Sequence, residues 1–122
     1  MTKQLDRKKR TSELAKAVKL LIAAHGGFAF RNSIQPRIST KTNRAFYPDK
    51  SAVGSPDLIA IMPRGLTLWI ETKISPDKLR PTQQAFAAEL DKRGHCYFVV
   101  TDTIDELADL LAAYEKKVAA RV

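Results

Sequence analysis

The sequence predicts an α/β layered domain in which helices bracket a mixed sheet. Three observations predict it: a helical apolar stripe near the start, two strand patterns joined by Pro63-Arg64-Gly65, and a third strand pattern between two further helical ones. The chain has 122 residues, 44% of them hydrophobic, enough for one domain with its own core and too apolar for a wholly disordered chain. A single domain is expected over 1–122, with a basic N-terminal extension over 1–10.

Each element has a local reason. Leu14, Ala17, Val18, Leu21 and Ile22 recur at helical spacing; Thr11 or Ser12 caps that helix unless basic residues 7–10 extend it, and Gly26-Gly27 stops it. Phe28 to Ile34 reads as a short strand. Residues 35–55 have no clean period and mix Pro36, Pro48 and Gly54 with basic and aromatic residues, so they form a functional loop, a disordered one, or a strand too short to detect. Asp57 to Met62 is an apolar strand run and Leu66 to Lys73 alternates with period two. Pro63-Arg64-Gly65 suits a three-residue hairpin built on a type I turn, with Gly65 in the left-handed position. Pro81 opens a helix that runs to Arg93 before Gly94. His95 to Val100 is a buried type of strand. Thr103 and Glu106 form a capping box for a last helix carrying Ile104, Leu107, Leu111, Tyr114 and Val118.

Charge narrows the partner. Lys and Arg number 21 against 13 acids, a formal net charge of +8. Residues 1–50 hold twelve of those cations against Asp6, Glu13 and Asp49, and the remainder of the chain is nearly neutral. Such a basic half points to a polyanion, nucleic acid first. The single cysteine, Cys96, excludes an intrachain disulfide and suits a reducing compartment. No apolar run is long enough for a membrane span, and the charged N-terminus lacks a secretory signal core. A cytoplasmic protein, of a bacterial or phage-infected cell for instance, is expected, with no membrane partner.

The hairpin register carries the chemistry. With Pro63-Arg64-Gly65 as the loop, Met62 faces Leu66 and Asp57 falls opposite Glu71, Cβ atoms about 5 Å apart; the other hairpin register moves the pairing by one residue. Carboxylates that close repel unless a cation lies between them or one keeps a proton. A hard divalent ion such as Mg²⁺ satisfies both, with waters and phosphate oxygens completing its shell. Lys73 projects on the same face as Glu71, where an ammonium neutralises phosphate charge and orients or helps deprotonate a water. Asp57, Glu71 and Lys73 thus make a phosphodiester hydrolysis site, although each alone also reads as an ordinary turn or solvated strand residue. Gln83 shares a helical face with Phe86, Ala87 and Leu90, so its amide either meets a partner in the site or lies at an exposed first turn.

Ser55-Pro56-Asp57, Ile70-Glu71-Thr72-Lys73 and Leu79-Arg80-Pro81-Thr82-Gln83 resemble the PD-(D/E)XK nuclease superfamily and, more narrowly, the VRR-NUC (virus-type replication-repair nuclease) family. The resemblance implies a restriction-endonuclease-like αβββαβ core and Mg²⁺- or Mn²⁺-dependent hydrolysis of DNA. It assigns metal binding to Asp57, Glu71, the Thr72 carbonyl and Glu13, and catalytic roles to Lys73 and Gln83. Small stand-alone members resemble Holliday-junction resolvases that act as homodimers, which implies a homodimer and branched or junction DNA. A nuclease without junction preference, acting on flaps, nicks or restriction-like sites, and a non-catalytic DNA-binding module are the alternatives. Arg31 and Asn32 resemble a family Arg-Asn pair able to meet phosphate, and Arg37, Lys41, Arg44 and Lys50 make the 35–55 segment a DNA clamp. Phe46 and Tyr47 either stack on an unpaired base or, the favoured reading, fill the core. Arg7-Lys8-Lys9-Arg10 is a DNA arm or a solvated tail. His25, His95, Cys96 and Trp69 are read as structural.

Overall fold

A computed structural model describes residues 2–33, 37–47 and 49–120 of the chain. Helix α1 (Thr2–Ala24) leads into strand β1 (Phe28–Arg31), then the two-residue strands β2 (Arg37–Ile38) and β3 (Ala45–Phe46). Strands β4 (Leu58–Ile61) and β5 (Thr67–Lys73), helix α2 (Pro81–Lys92), strand β6 (Cys96–Thr101) and helix α3 (Asp105–Ala120) follow. The main sheet has the order β1-β4-β5-β6: β4 runs antiparallel to both β1 and β5, and β6 runs parallel to β5. Helix α2 makes the crossover that a parallel pair requires.

Alternation along the strands divides the sheet into two faces. Leu58 and Ala60 of β4, and Leu68, Ile70 and then Ile74 along β5, turn to one face and join Leu14, Val18 and Ile22 of α1 with Leu107 and Leu111 of α3 in the main core. Trp69 and Tyr97 turn to the other face, where Phe86 of α2 packs against both, with ring centroids 6.1 and 6.4 Å away. Helix α2 therefore covers the β5–β6 end of that face, while Phe28 and Phe30 on the edge strand stay 60% and 43% exposed. His25 at the end of α1 meets Glu115 of α3 at 2.5 Å, which joins the two helices of the first layer.

Several expectations are revised. The first helix does not start at the Thr11/Ser12 cap: basic residues 7–10 extend it, the other start that the sequence allowed, and α1 begins nine residues before Thr11. The Pro63–Gly65 link is a 3₁₀ turn in which Arg64 (φ 64°) as well as Gly65 (φ 81°) is left-handed, so the type I geometry is not adopted. The hairpin register is nonetheless as expected, with the Met62 amide donating to the Leu66 carbonyl at 2.8 Å. The aperiodic segment contains the β2–β3 hairpin, turned through Asn43 at φ 54° with the Ser39 hydroxyl accepting from the Lys41 and Thr42 amides. Phe46 and Tyr47 are 46% and 43% exposed, which corrects the core reading of that pair. Instead of a capping box, α3 shows one long bond, from the Asp105 amide to the Thr103 hydroxyl at 3.5 Å. Ile34, Pro36 and Pro48 lie outside the described residues.

Because Leu107 is fully buried and ties α3 to the sheet, Leu107→Ala is expected to lower unfolding free energy by about 2–4 kcal/mol. Urea denaturation measures this; a loss below about 1 kcal/mol would show that α3 is not part of the cooperative core.

Candidate active site

The antiparallel pairing of Leu58 with Ile70, carried one step outward, sets Asp57 against Glu71 at the mouth of the β4–β5 ladder. Their side chains are held from different directions. Asp57 Oδ2 accepts from the Thr72 amide at 3.1 Å and from the Thr72 hydroxyl at 2.7 Å. Glu71 Oε2 accepts from Gln83 Nε2 at 3.1 Å and from the Tyr97 hydroxyl at 3.4 Å. Each carboxyl thus has one oxygen engaged by a neighbouring residue, and the two acids face each other across the ladder.

That proximity has an electrostatic cost. Glu71 is 3% exposed, and its carboxyl is pushed up to about 8, first by burial and then by the hydrogen bond and negative charge of Asp57. The positive charge of Lys73, half-buried two residues along the strand, opposes the shift. The Tyr97 hydroxyl is held in its protonated, donating form by burial and by the two carboxylates. Near neutral pH the Glu71 carboxyl therefore keeps its proton, at a place where a divalent cation would satisfy both groups. Among the described residues no third His, Cys, Asp or Glu joins it. Two carboxylates with free oxygens fit Mg²⁺ or Mn²⁺, which take few protein ligands and keep waters and phosphate oxygens.

The surrounding loops fix this pair. Asn32 Nδ2 donates to the Ser55 hydroxyl and the Pro56 carbonyl, both at 2.9 Å, and the Asn32 amide donates to the Asp57 carbonyl at 2.7 Å. Its amide hydrogens are spent on shaping the Ser55-Pro56-Asp57 turn. Gln83 is buried at the start of α2; its Oε1 accepts from the Arg80 amide at 2.9 Å while its Nε2 reaches Glu71, so it caps the helix and holds the site at once. Gly54 (φ 89°) must be glycine here, since an added Cβ would lie 2.1 Å from the Thr82 carbonyl oxygen.

Asp57, Glu71, Lys73, Thr72 and Gln83 come together as expected from the sequence. Glu13 does not. It is exposed on a different side of α1, lining a cleft with Ile74, Asp102 and Asp105, whereas Asp57 shares its cleft with Ser12, Lys16 and Lys19. Residues one apart on a helix point about 100° apart, and that rotation carries Glu13 away. Arg31 lines the Asp57 cleft; Arg37, Lys41, Arg44 and Lys50 are exposed on the segment around the β2–β3 hairpin. Two contributors escaped sequence reasoning: Tyr97, and the Thr72 side chain. Tyr97 was detectable in principle, because β6 alternation turns it to the α2 face that Glu71 shares. His95 packs its ring edge-on to Trp69 at 6.4 Å, and burial pushes the Cys96 thiol up, which suits their structural readings.

Folding takes up a proton at Glu71 between about pH 4.5, where the free side chain releases it, and about pH 8, where the folded one does. Metal-free protein is therefore expected to lose stability as pH rises through that window. Glu71→Gln keeps the acceptor for Gln83 and offers Asp57 an amide hydrogen. It is expected to raise metal-free stability at pH 8 by about 1–2 kcal/mol and to flatten the pH dependence. Thermal unfolding across pH 5–9 in EDTA checks both, and a variant less stable than wild type at pH 8 refutes the paired-carboxyl account.

Comparison with known proteins places this geometry. The family model for the VRR-NUC domain matches residues 29–102, from β1 to just past β6, and so includes Asp57, Glu71, Lys73, Gln83 and Tyr97. A solved structure described as a VRR_NUC domain superposes with a TM-score of 0.60 at 25% identity, covering 86% of this chain and 97% of that chain. No curated protein matches the chain. With the family model spanning more than half the sequence and the same fold in a solved member, the chain belongs to the VRR-NUC family of nuclease domains.

Proposed function

We propose that this domain is a metal-dependent endonuclease that hydrolyses phosphodiester bonds in DNA. The carrying observation is the Asp57–Glu71 pair, in which each carboxyl is anchored through one oxygen and the two groups meet in a half-buried site. A DNA-binding module has no use for adjacent carboxyls beside phosphate, since without a cation they repel it.

The metal would be held by Asp57 and Glu71, with the Thr72 carbonyl as a further ligand, and supplies a water of lowered pKa together with charge neutralisation at the phosphate. The chain's residues do the rest. Thr72 fixes the orientation of Asp57 through two hydrogen bonds, and Gln83 and Tyr97 fix Glu71. Lys73, on the same strand face as Glu71, places an ammonium beside the scissile phosphate, where it orients the attacking water and balances the negative charge that builds on the phosphoryl oxygens. Arg31 lines the same cleft as Asp57 and anchors a neighbouring phosphate. Asn32 keeps Asp57 in register by holding its turn. The resemblance to stand-alone members of this family extends the proposal to branched or junction DNA and to a homodimer that presents two sites to two strands.

Incubating supercoiled plasmid, linear duplex and a four-way junction with Mg²⁺, Mn²⁺ or EDTA tests the reading. Cleavage is expected with either metal and none in EDTA, with Asp57→Ala and Lys73→Ala each reducing it at least about 100-fold while DNA binding persists. Intact DNA in every metal would refute the enzyme. A junction cut no faster than linear duplex would remove the junction preference and leave a general nuclease.

A further inference from the structure

The family match begins at residue 29, so helix α1 lies outside it. We propose that the cleft-facing side of α1 is a phosphate-binding track that guides a DNA strand to Asp57, an inference that rests on the nuclease reading of that site. A cleft of about 890 Å³ separates α1 from the end of the sheet; Lys8, Lys9, Lys16 and Lys19, with Arg7, line one wall, Arg31 another, and among the described residues Asp57 is its sole acid. The four lysines and Arg31 are exposed. Among the described residues none of them has a carboxylate within salt-bridge distance, whereas Arg7 pairs with Asp77 at 3.3 Å and Arg10 with Asp102 at 3.6 Å.

This division has a geometric logic. The paired arginines, with Leu14, Val18 and Ile22 buried, fasten the helix to the domain. The lysines are left to face an anion, and the small side chains of Ser12 and Ala15 between them keep the wall low enough for a backbone to approach. From Lys8 to Lys19 the helix rises about 16 Å at 1.5 Å per residue. At 3.4 Å per nucleotide along one strand, that spans about five phosphates. Lysine ammonium groups spaced along a rod attract phosphate without reading bases, so the track supplies affinity and register but no sequence preference.

The test measures binding in EDTA, where no cleavage occurs, with a labelled 20-base-pair duplex titrated at several NaCl concentrations. For Lys8→Ala/Lys9→Ala/Lys16→Ala/Lys19→Ala the affinity is expected to fall about 10- to 100-fold near 0.1 M salt. The slope of log affinity against log salt should flatten by about 3–4, close to 0.9 per lost phosphate contact. The double variant Lys16→Ala/Lys19→Ala should flatten it by about 2. The control Lys116→Ala/Lys117→Ala, on α3, should stay within about twofold of wild type, and circular dichroism should show all three folded. An unchanged slope in the quadruple and double variants, or an equal loss in the control, overturns the track. Wild-type protein that binds through these lysines yet cuts no DNA in any metal would sink the nuclease reading and leave the track standing. Cleavage with an unaltered KM in the quadruple variant would do the reverse.

Discussion

Two carboxyl groups that repel each other are held together by a backbone ladder, and the rest of the structure answers to that constraint. The antiparallel register of β4 and β5 leaves Asp57 and Glu71 no choice of partner. Every neighbouring element then limits the cost. Thr72 supplies two hydrogen bonds to Asp57; α2 brings Gln83 and β6 brings Tyr97 to Glu71. A local energetic deficit of this kind is the physical ground for the cation site we propose.

The same constraint explains the uneven packing of the sheet. The α1–α3 face is a conventional apolar core, with Val18, Ile22, Ile70 and Leu107 fully buried. The opposite face gives part of its area to Glu71, Gln83 and Tyr97 and is closed by one short helix, packed through Phe86 on Trp69 and Tyr97. Stability comes from one side and chemistry is placed on the other. Gly54 shows how tight the second side is, for its backbone meets the Thr82 carbonyl where no side chain fits. The start of α2, and with it Gln83, is set by that contact.

Much of this was legible in the sequence. Period-two alternation and the Pro-Arg-Gly turn together pointed to a hairpin, and of its two possible registers the one that opposes the two acids is adopted. The helix starting at Pro81 placed Gln83. What stayed hidden is governed by short range or by tertiary context. Strands of two residues, such as Arg37–Ile38 and Ala45–Phe46, are shorter than any alternation that could reveal them. The N-terminal part of α1 lacks an apolar stripe because its basic side chains face a cleft and solvent, so periodicity marked only the half that packs on the core. The Thr72 hydroxyl matters through Asp57 on the neighbouring strand, which no local pattern encodes, and alternation along β6 puts Tyr97 on the face of Glu71 without showing that the two meet. Glu13 fails in the opposite sense: its identity suited a metal site, and a rotation of about 100° round the helix removed it.

Helix α1 is one unbroken rod of 23 residues with two separate duties written on its circumference. Leu14, Val18 and Ile22 dock it on the sheet; Lys8, Lys16 and Lys19 look into the cleft. A rod cannot shift one duty without carrying the other, so the spacing between the proposed track and the carboxylates is inherited from the hydrophobic core and needs no loop to set it. Composition, by contrast, is free to vary on either side independently. The electrostatic character of the groove can be rewritten, lysine by lysine, on a scaffold whose folding does not register the change.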